Sequence, residues 1–383
     1  MKSEEISEFL QSRIEAKDFP SAVYLAAEKG EIVLHDAVGL AVVEPEKIRA
    51  RLDTIYDLAS LTKVLITGLL CAKLIETGEI NLADKISKYF SEFDTNEKRE
   101  ITIENLLTHT SGFPGWKPFY LFQDSLNCGQ NYLGLSDERI NKFVLREIVS
   151  TRLENPVNSK VVYSDFNFLL LGFLLERVYG NELNNIASTE IFTRLGLTRT
   201  FFGGLDTFRR EIAASEFGNE FERRTCINSG FDVSQYKWRD YQIWGEVHDG
   251  NCYFMNGVSG HAGLFSSAEE VFRIAQQFLP ATTTLLQPET CQLFRTNLTG
   301  GLNEARSVAF QLAETPDSSA GEALPKDAFG HLGFTGTSLW LDPQKERIFI
   351  LLTNRTHNRP PPFVLLNSVR RRFHELAAAL CEK

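Results

Sequence analysis

The sequence predicts an α+β fold: one sheet built from both ends of the chain, flanked by helices, with a mainly helical region inserted between them. Three observations carry this expectation. β-rich runs lie near the N-terminus and return near the C-terminus. The stretch from about residue 84 to residue 203 is mainly helical in pattern, with long irregular joints. Two helical segments are apolar almost all round, which places them inside a core and not on a surface.

In chain order, residues 4–17 form an amphipathic helix with Ile6, Phe9, Leu10 and Ile14 on one face. Runs 21–28 and 32–38 are β-rich and separated by Lys29-Gly30-Glu31, the spacing of a hairpin. Ser60 then opens an apolar helix over 61–76, which Gly78 ends. Residues 111–130 form one of the irregular joints, and 166–179 a second apolar helix closed by Gly180. Residues 245–267, rich in glycine and small side chains, read as a loop leading into a helix over 268–278. Residues 313–326 are polar and small, the pattern of an exposed loop. Strand signals return at 337–341 and 347–353, joined by Asp342-Pro343, and an amphipathic helix over 363–381 completes the chain.

At 383 residues, 43% of them hydrophobic, the chain can bury a large core, and is read as one catalytic unit carrying a sizeable insertion. Residues 1–83 and 204–383 form its sheet region and 84–203 its helical region. A net charge of −10 and a pI near 5.4, with no basic stripe, argue against nucleic acid as a partner. The start of the chain is polar and acidic, unlike a secretory signal, and no run of 18 apolar residues offers a membrane span, so a cytoplasmic location is expected. The six cysteines are scattered, with no Cys-x-x-Cys pair, and read as reduced structural thiols.

Three segments carry chemistry. In Asp57-Leu-Ala-Ser60-Leu-Thr-Lys63, positions three apart share a helix face, so the Ser60 hydroxyl and the Lys63 amine can meet. Ser60 at the head of the helix also lies where free N–H groups favour developing negative charge. An N-cap serine beside an unrelated lysine would show the same spacing. Lys63, however, lies among Leu61, Val64, Leu65 and Ile66, where a charge is costly without partners. The second segment, Tyr163-Ser-Asp165-Phe-Asn167, stands just before the second apolar helix. A tyrosine beside an ammonium is expected to have a lowered pKa and could act as a general base. The third, Phe329-Gly-His331-Leu-Gly333-Phe334-Thr-Gly336, leads into a strand, and its glycines let a substrate lie against the backbone edge.

In this order the three segments resemble the class C β-lactamase-like serine hydrolases, a family that includes DD-peptidases, D-aminopeptidases and esterases. Residues 106–112, 247–251, 257–265 and 351–355 add supporting phrases, and the likeness spans about residues 18 to 380. It implies a β-lactamase/transpeptidase-like fold, an antiparallel sheet flanked by helices with an all-helical subdomain and the site between them. It implies an acyl-enzyme on Ser60, with Lys63 and Tyr163 handling the proton. The N–H groups of Ser60 and Phe334 would form the oxyanion hole, and Asp165, His331 and Gly333 would line the substrate site. No cofactor or metal is implied. The expected partner is a small ester, amide or peptide, and the oligomeric state is left open.

Two departures matter. Asp165 stands where that family more often has asparagine, adding a charge that would hold Lys63 protonated and move the duty of base to Tyr163. His331 replaces the lysine of a Lys-Thr-Gly motif, and neutral imidazole meets a carboxylate poorly. Both changes favour an uncharged ester or amide, unless Arg355 or Arg359 meets a carboxylate. Other readings are weaker. Gly257-Val-Ser259-Gly260-His261 is a poor match to the elbow of α/β-hydrolases, because it ends in histidine and has no clear preceding strand. His248 and Asp249 lack a third metal ligand at suitable spacing and read as cleft-lining residues, and His109 as a residue that orders a loop. A catalytically inactive binding or scaffold protein that retains the fold is the alternative from another class.

Overall fold

The computed structural model describes residues 2–126, 137–204 and 206–382. Ten strands run in chain order: β1 Ser21–Glu28, β2 Glu31–Val42, β3 Ile48–Arg49, β4 Tyr56–Asp57, β5 Phe201–Phe202, β6 Leu264–Ser266, β7 Gln311–Leu312, β8 Phe329–Leu332, β9 Ser338–Asp342 and β10 Arg347–Thr353. Seven of them form an antiparallel sheet in the order β3-β2-β1-β10-β9-β8-β7, so the two ends of the chain meet where β1 pairs with β10. A small sheet, β4-β6-β5, stands apart. The β1–β2 hairpin turns through Lys29 and Gly30, both at positive φ, the geometry that matches strand twist.

The strand sequences look continuously apolar because the large sheet is covered on both faces. Val23, Leu25, Ile348, Ile350 and Leu352 face the main core, while the alternate residues Tyr24, Ala26, Phe349 and Leu351 face a second core. Helices Lys2–Glu15 and Asn367–Cys381 pack together and cover that second face. On the main face lies the helix that follows Ser60, π-helical over Lys63–Gly68 and α-helical over Leu69–Thr77, capped by Gly78 at φ 75°. A π stretch of this kind often marks a functional site.

Helix Asp165–Tyr179 packs beside it, and its capping Gly180 is left-handed as the sequence suggests. Gly260 presses against this helix so closely that a Cβ there would sit 2.2 Å from the Phe168 carbonyl oxygen. Thr67 Oγ1 donates to the Gly260 carbonyl at 2.7 Å, which fixes the 257–263 segment over the head of the buried helix.

Three expectations need correction. Residues 245–267 are not simply a loop, for they hold helix Gly250–Phe254 and β6. A three-residue strand has no readable alternation and exists because β4 and β5 flank it. Residues 313–326 lack regular structure but are not all exposed. Ser319, Ala320 and Leu324 are buried, and Ser319 Oγ accepts the Trp340 indole N–H at 3.1 Å. The last helix starts at Asn367 instead of residue 363, because Phe363 is drawn onto Phe221 and Phe334. Residues 127–130 of the expected joint and Cys128 lie outside the described residues, and the other five cysteines are buried free thiols.

Candidate active site

Ser60 is aimed by a strained turn. Ala59 has φ of 47°, a left-handed conformation that a residue with a side chain adopts only where its surroundings impose it. Asp57 imposes it here. Its buried carboxylate accepts the N–H of Ala59 at 2.9 Å and that of His248 at 2.8 Å. Ser60 thereby lines a cavity of about 570 Å³.

Lys63 is fully buried, and its ammonium donates to Ser60 Oγ at 2.9 Å and to the His261 carbonyl at 3.0 Å, while pairing with Asp165 Oδ1 at 2.8 Å. The ammonium thus makes two hydrogen bonds and one ion pair. Tyr163 is held by His109, itself at φ 60°. The His109 carbonyl accepts the Val162 N–H at 2.9 Å, its Nδ1 accepts the Ser164 N–H at 3.1 Å, and its ring lies 4.6 Å from the tyrosine ring. His109 thus orders the loop, as expected. The Tyr163 ring sits 5.0 Å from the Lys63 ammonium. Its buried hydroxyl makes no hydrogen bond among the described residues, although Ser60 and Lys63 are near enough to favour its ionised form.

The opposite wall is the loop after β8. Thr335 Oγ1 donates to the Asp57 carbonyl at 2.7 Å and Thr337 Oγ1 to that of Leu58 at 3.0 Å. Gly333 permits this approach, since a Cβ there would meet the Leu58 oxygen at 2.5 Å. Neither Ser60 N–H nor Phe334 N–H donates a hydrogen bond among the described residues, so both are free to bind an oxyanion. His331, Gly333 and Phe334 line the cavity together with Ser60, Tyr163 and Asp165, whereas Lys63 is buried.

The Beta-lactamase family model matches residues 6–368. This chain belongs to the β-lactamase family. A relative from Escherichia coli (strain K12), named "Putative D-alanyl-D-alanine carboxypeptidase", is 30% identical over 360 residues, which are 89% of this chain and 79% of the relative. Among solved structures, EstCE1, a hydrolase with promiscuous acyltransferase activity, superposes with a TM-score of 0.72 at 20% identity, covering 100% of this chain and 98% of that one. A class C β-lactamase mutant gives a TM-score of 0.72 at 13% identity, covering 100% and 97%. The fold is therefore the β-lactamase/transpeptidase-like one, and the chain is a serine hydrolase of the β-lactamase, penicillin-binding-protein and esterase type.

The charges of this β-lactamase-family site follow from burial and close partners. Burial opposes the charge of Lys63, but Asp165 and then Tyr163 outweigh it and hold the amine above its ordinary range. For Tyr163 the expectation is corrected. Burial, reinforced by Asp165, outweighs the pull of Lys63, so its pKa is raised and not lowered. His331 is held well below the usual imidazole range by burial, then by Lys63 and Arg306, so it is neutral.

Asp249 gains a partner that spacing did not show. His261 Nε2 lies 3.1 Å from Asp249 Oδ1, and its Nδ1 lies 2.7 Å from Ser259 Oγ. That chain has the residue types of a hydrolytic triad, but Ser259 is buried and does not line the cavity, and the His261 carbonyl serves Lys63. Asp165, Asp249 and His261 bring ligand-type atoms within 4.8 Å of one another, and the cation they face is the Lys63 ammonium. Sequence reasoning missed Glu222, Arg306 and Arg370, all of which line the cavity. Burial and the neighbouring Asp249 push Glu222 up to about 7. No local pattern marks these three. Arg355 lines the cavity, whereas half-buried Arg359 donates to the Lys17 and Asn358 carbonyls elsewhere.

Proposed function

We propose that the protein cleaves a small, carboxylate-bearing amide or ester through an acyl-enzyme on Ser60. The observation that carries this is the contact of a fully buried ammonium, that of Lys63, with Ser60 Oγ at 2.9 Å. With Lys63 protonated, the base is Tyr163. Its phenolate takes the Ser60 proton as Oγ attacks the carbonyl carbon, and the Ser60 and Phe334 N–H groups hold the oxyanion. Tyr163 returns the proton to the leaving group as its bond to the acyl carbon breaks. It then deprotonates the water that releases the acid and regenerates Ser60. A scaffold with a silenced site would have no use for this arrangement.

The carboxylate preference rests on two arginines that line the cavity, Arg355 and Arg370, which make no ion pair with a carboxylate among the described residues. Burial lowers Arg370 to about 9, with Arg355 adding to it, and Arg355 itself to about 10, so both stay charged at neutral pH. They stand in for the lysine that His331 replaces, and they suit a peptide C-terminus of the kind named in the E. coli relative. Arg370 is the one to test, because its backbone contact, to the Thr337 carbonyl at 3.2 Å, is longer than that of Arg355 Nε to the Phe334 carbonyl at 2.7 Å. Arg370→Gln is expected to lower kcat/KM for an N-acyl-D-Ala-D-Ala dipeptide, relative to p-nitrophenyl acetate, by about tenfold or more, the scale of a hydrogen bond to a charged group. An unchanged ratio would remove the carboxylate from the reading. The five described cysteines are free, which supports a reducing, cytoplasmic location.

The charge pattern also makes pH a test. A proton must leave the Lys63–Tyr163 pair before attack, so activity should rise toward alkaline pH. Asp165 raises the pKa of both groups, and removing its charge lowers both. In Asp165→Asn the rising limb of kcat/KM should therefore move to lower pH, and a shift to higher pH would contradict the assignment.

A further inference from the structure

His331 lines the cavity and carries a buried lone pair that no group meets among the described residues. Its Nδ1 lies 2.9 Å from the Leu332 carbonyl oxygen, and a carbonyl can only accept, so Nδ1 carries the ring proton and Nε2 is bare. The residue is 4% exposed, and Nε2 has no hydrogen-bond partner among the described residues. A buried acceptor left unpaired costs free energy, and in a substrate cavity a ligand can supply the missing donor. The family's lysine would offer a cationic donor at this point, and His331 offers the opposite. Its ring stands 5.7 Å from that of Tyr163, and it borders the same space as Ser60 and Phe334.

We propose that His331 Nε2 accepts a hydrogen bond from the N–H of the scissile amide, so that the site selects peptides over esters of the same shape and over β-lactams. A β-lactam nitrogen carries no hydrogen, and an ester oxygen would set its lone pairs against those of the imidazole. This deepens the reading given under the proposed function and rests on it for the position of the acyl group at Ser60.

The test uses full-length protein carrying Ser60→Ala, so that ligands bind without being consumed. Two ligands are compared by calorimetry: an N-acyl-D-alanyl-D-alanine dipeptide and the matching D-alanyl-D-lactate ester, which differ only in N–H against O. The dipeptide is expected to bind about tenfold more tightly, the preference to vanish when His331→Phe is added, and His331→Gln, which can return an acceptor, to restore part of it. A ratio within one protein is independent of the fraction folded. Equal affinities in the His331 protein would overturn the proposal, as would no binding of either ligand. A preference that survives His331→Phe, with turnover of both substrates falling equally when Ser60 is present, would assign the imidazole to Tyr163 instead. Failure of the hydrolase reading would appear separately, as turnover that persists in Ser60→Ala.

Discussion

Ser60→Ala is expected to abolish covalent labelling by a fluorophosphonate and to lower turnover by about 10⁴-fold or more, the scale seen when a hydrolytic nucleophile is removed. The reasons are geometric. Ser60 Oγ accepts a hydrogen bond from the Lys63 ammonium, Ser60 borders the cavity, and the turn that presents it is held by Asp57. Ser259 is the control, because it has a histidine at 2.7 Å yet is sealed from the cavity. Ser259→Ala is expected to keep its labelling. Loss of labelling in both folded variants, or in neither, would remove Ser60 from the nucleophile's role and favour the inactive scaffold.

Tyr163→Phe is expected to lower turnover by about 100-fold or more, the usual scale of general acid–base work, with KM little changed. The substitution spares what the ring does for the structure. Phenylalanine keeps the face that lies 5.0 Å from Lys63 and the packing against His109 at 4.6 Å. What it removes is a buried hydroxyl with no other hydrogen-bonding duty among the described residues. Because burial and Asp165 raise the pKa of this group, the wild-type kcat/KM should climb as pH rises through the alkaline range, and the variant should lose that climb. Near-normal turnover, or an unchanged pH profile, would assign the base to another group.

Much of the site was legible because its parts are short-range. Ser60 and Lys63 are three residues apart at a helix start, and burial of the lysine was readable from the apolar residues around it. Tyr163 and Asp165 stand at the head of an apolar helix that a glycine closes, whereas Gly333, read as leaving room for a substrate, in fact makes room for the Leu58 carbonyl. Arg306 and Arg370 were missed for the opposite reason. One follows a loop and the other lies in the terminal amphipathic helix, where an arginine ordinarily faces water.

The sequence by itself determined the order of elements, the sheet shared by the two ends, and the identity of the serine, lysine and tyrosine that come together. The elements and the meeting of Ser60 with Lys63 depend on periodicity and spacing over a few residues, where backbone geometry translates sequence separation into distance. Tyr163, far along the chain, is instead picked out by the resemblance of its motif to the family's. The tertiary structure alone decided the charges. Burial and Asp165 raise the Tyr163 pKa, the Nε2 of His331 is left without a partner among the described residues, and Arg355 and Arg370 are brought to the cavity wall. Electrostatic energy depends on separation in space and on exclusion of water, and both arise from contacts such as that of Lys63 with Asp165 and His261, which no local pattern encodes.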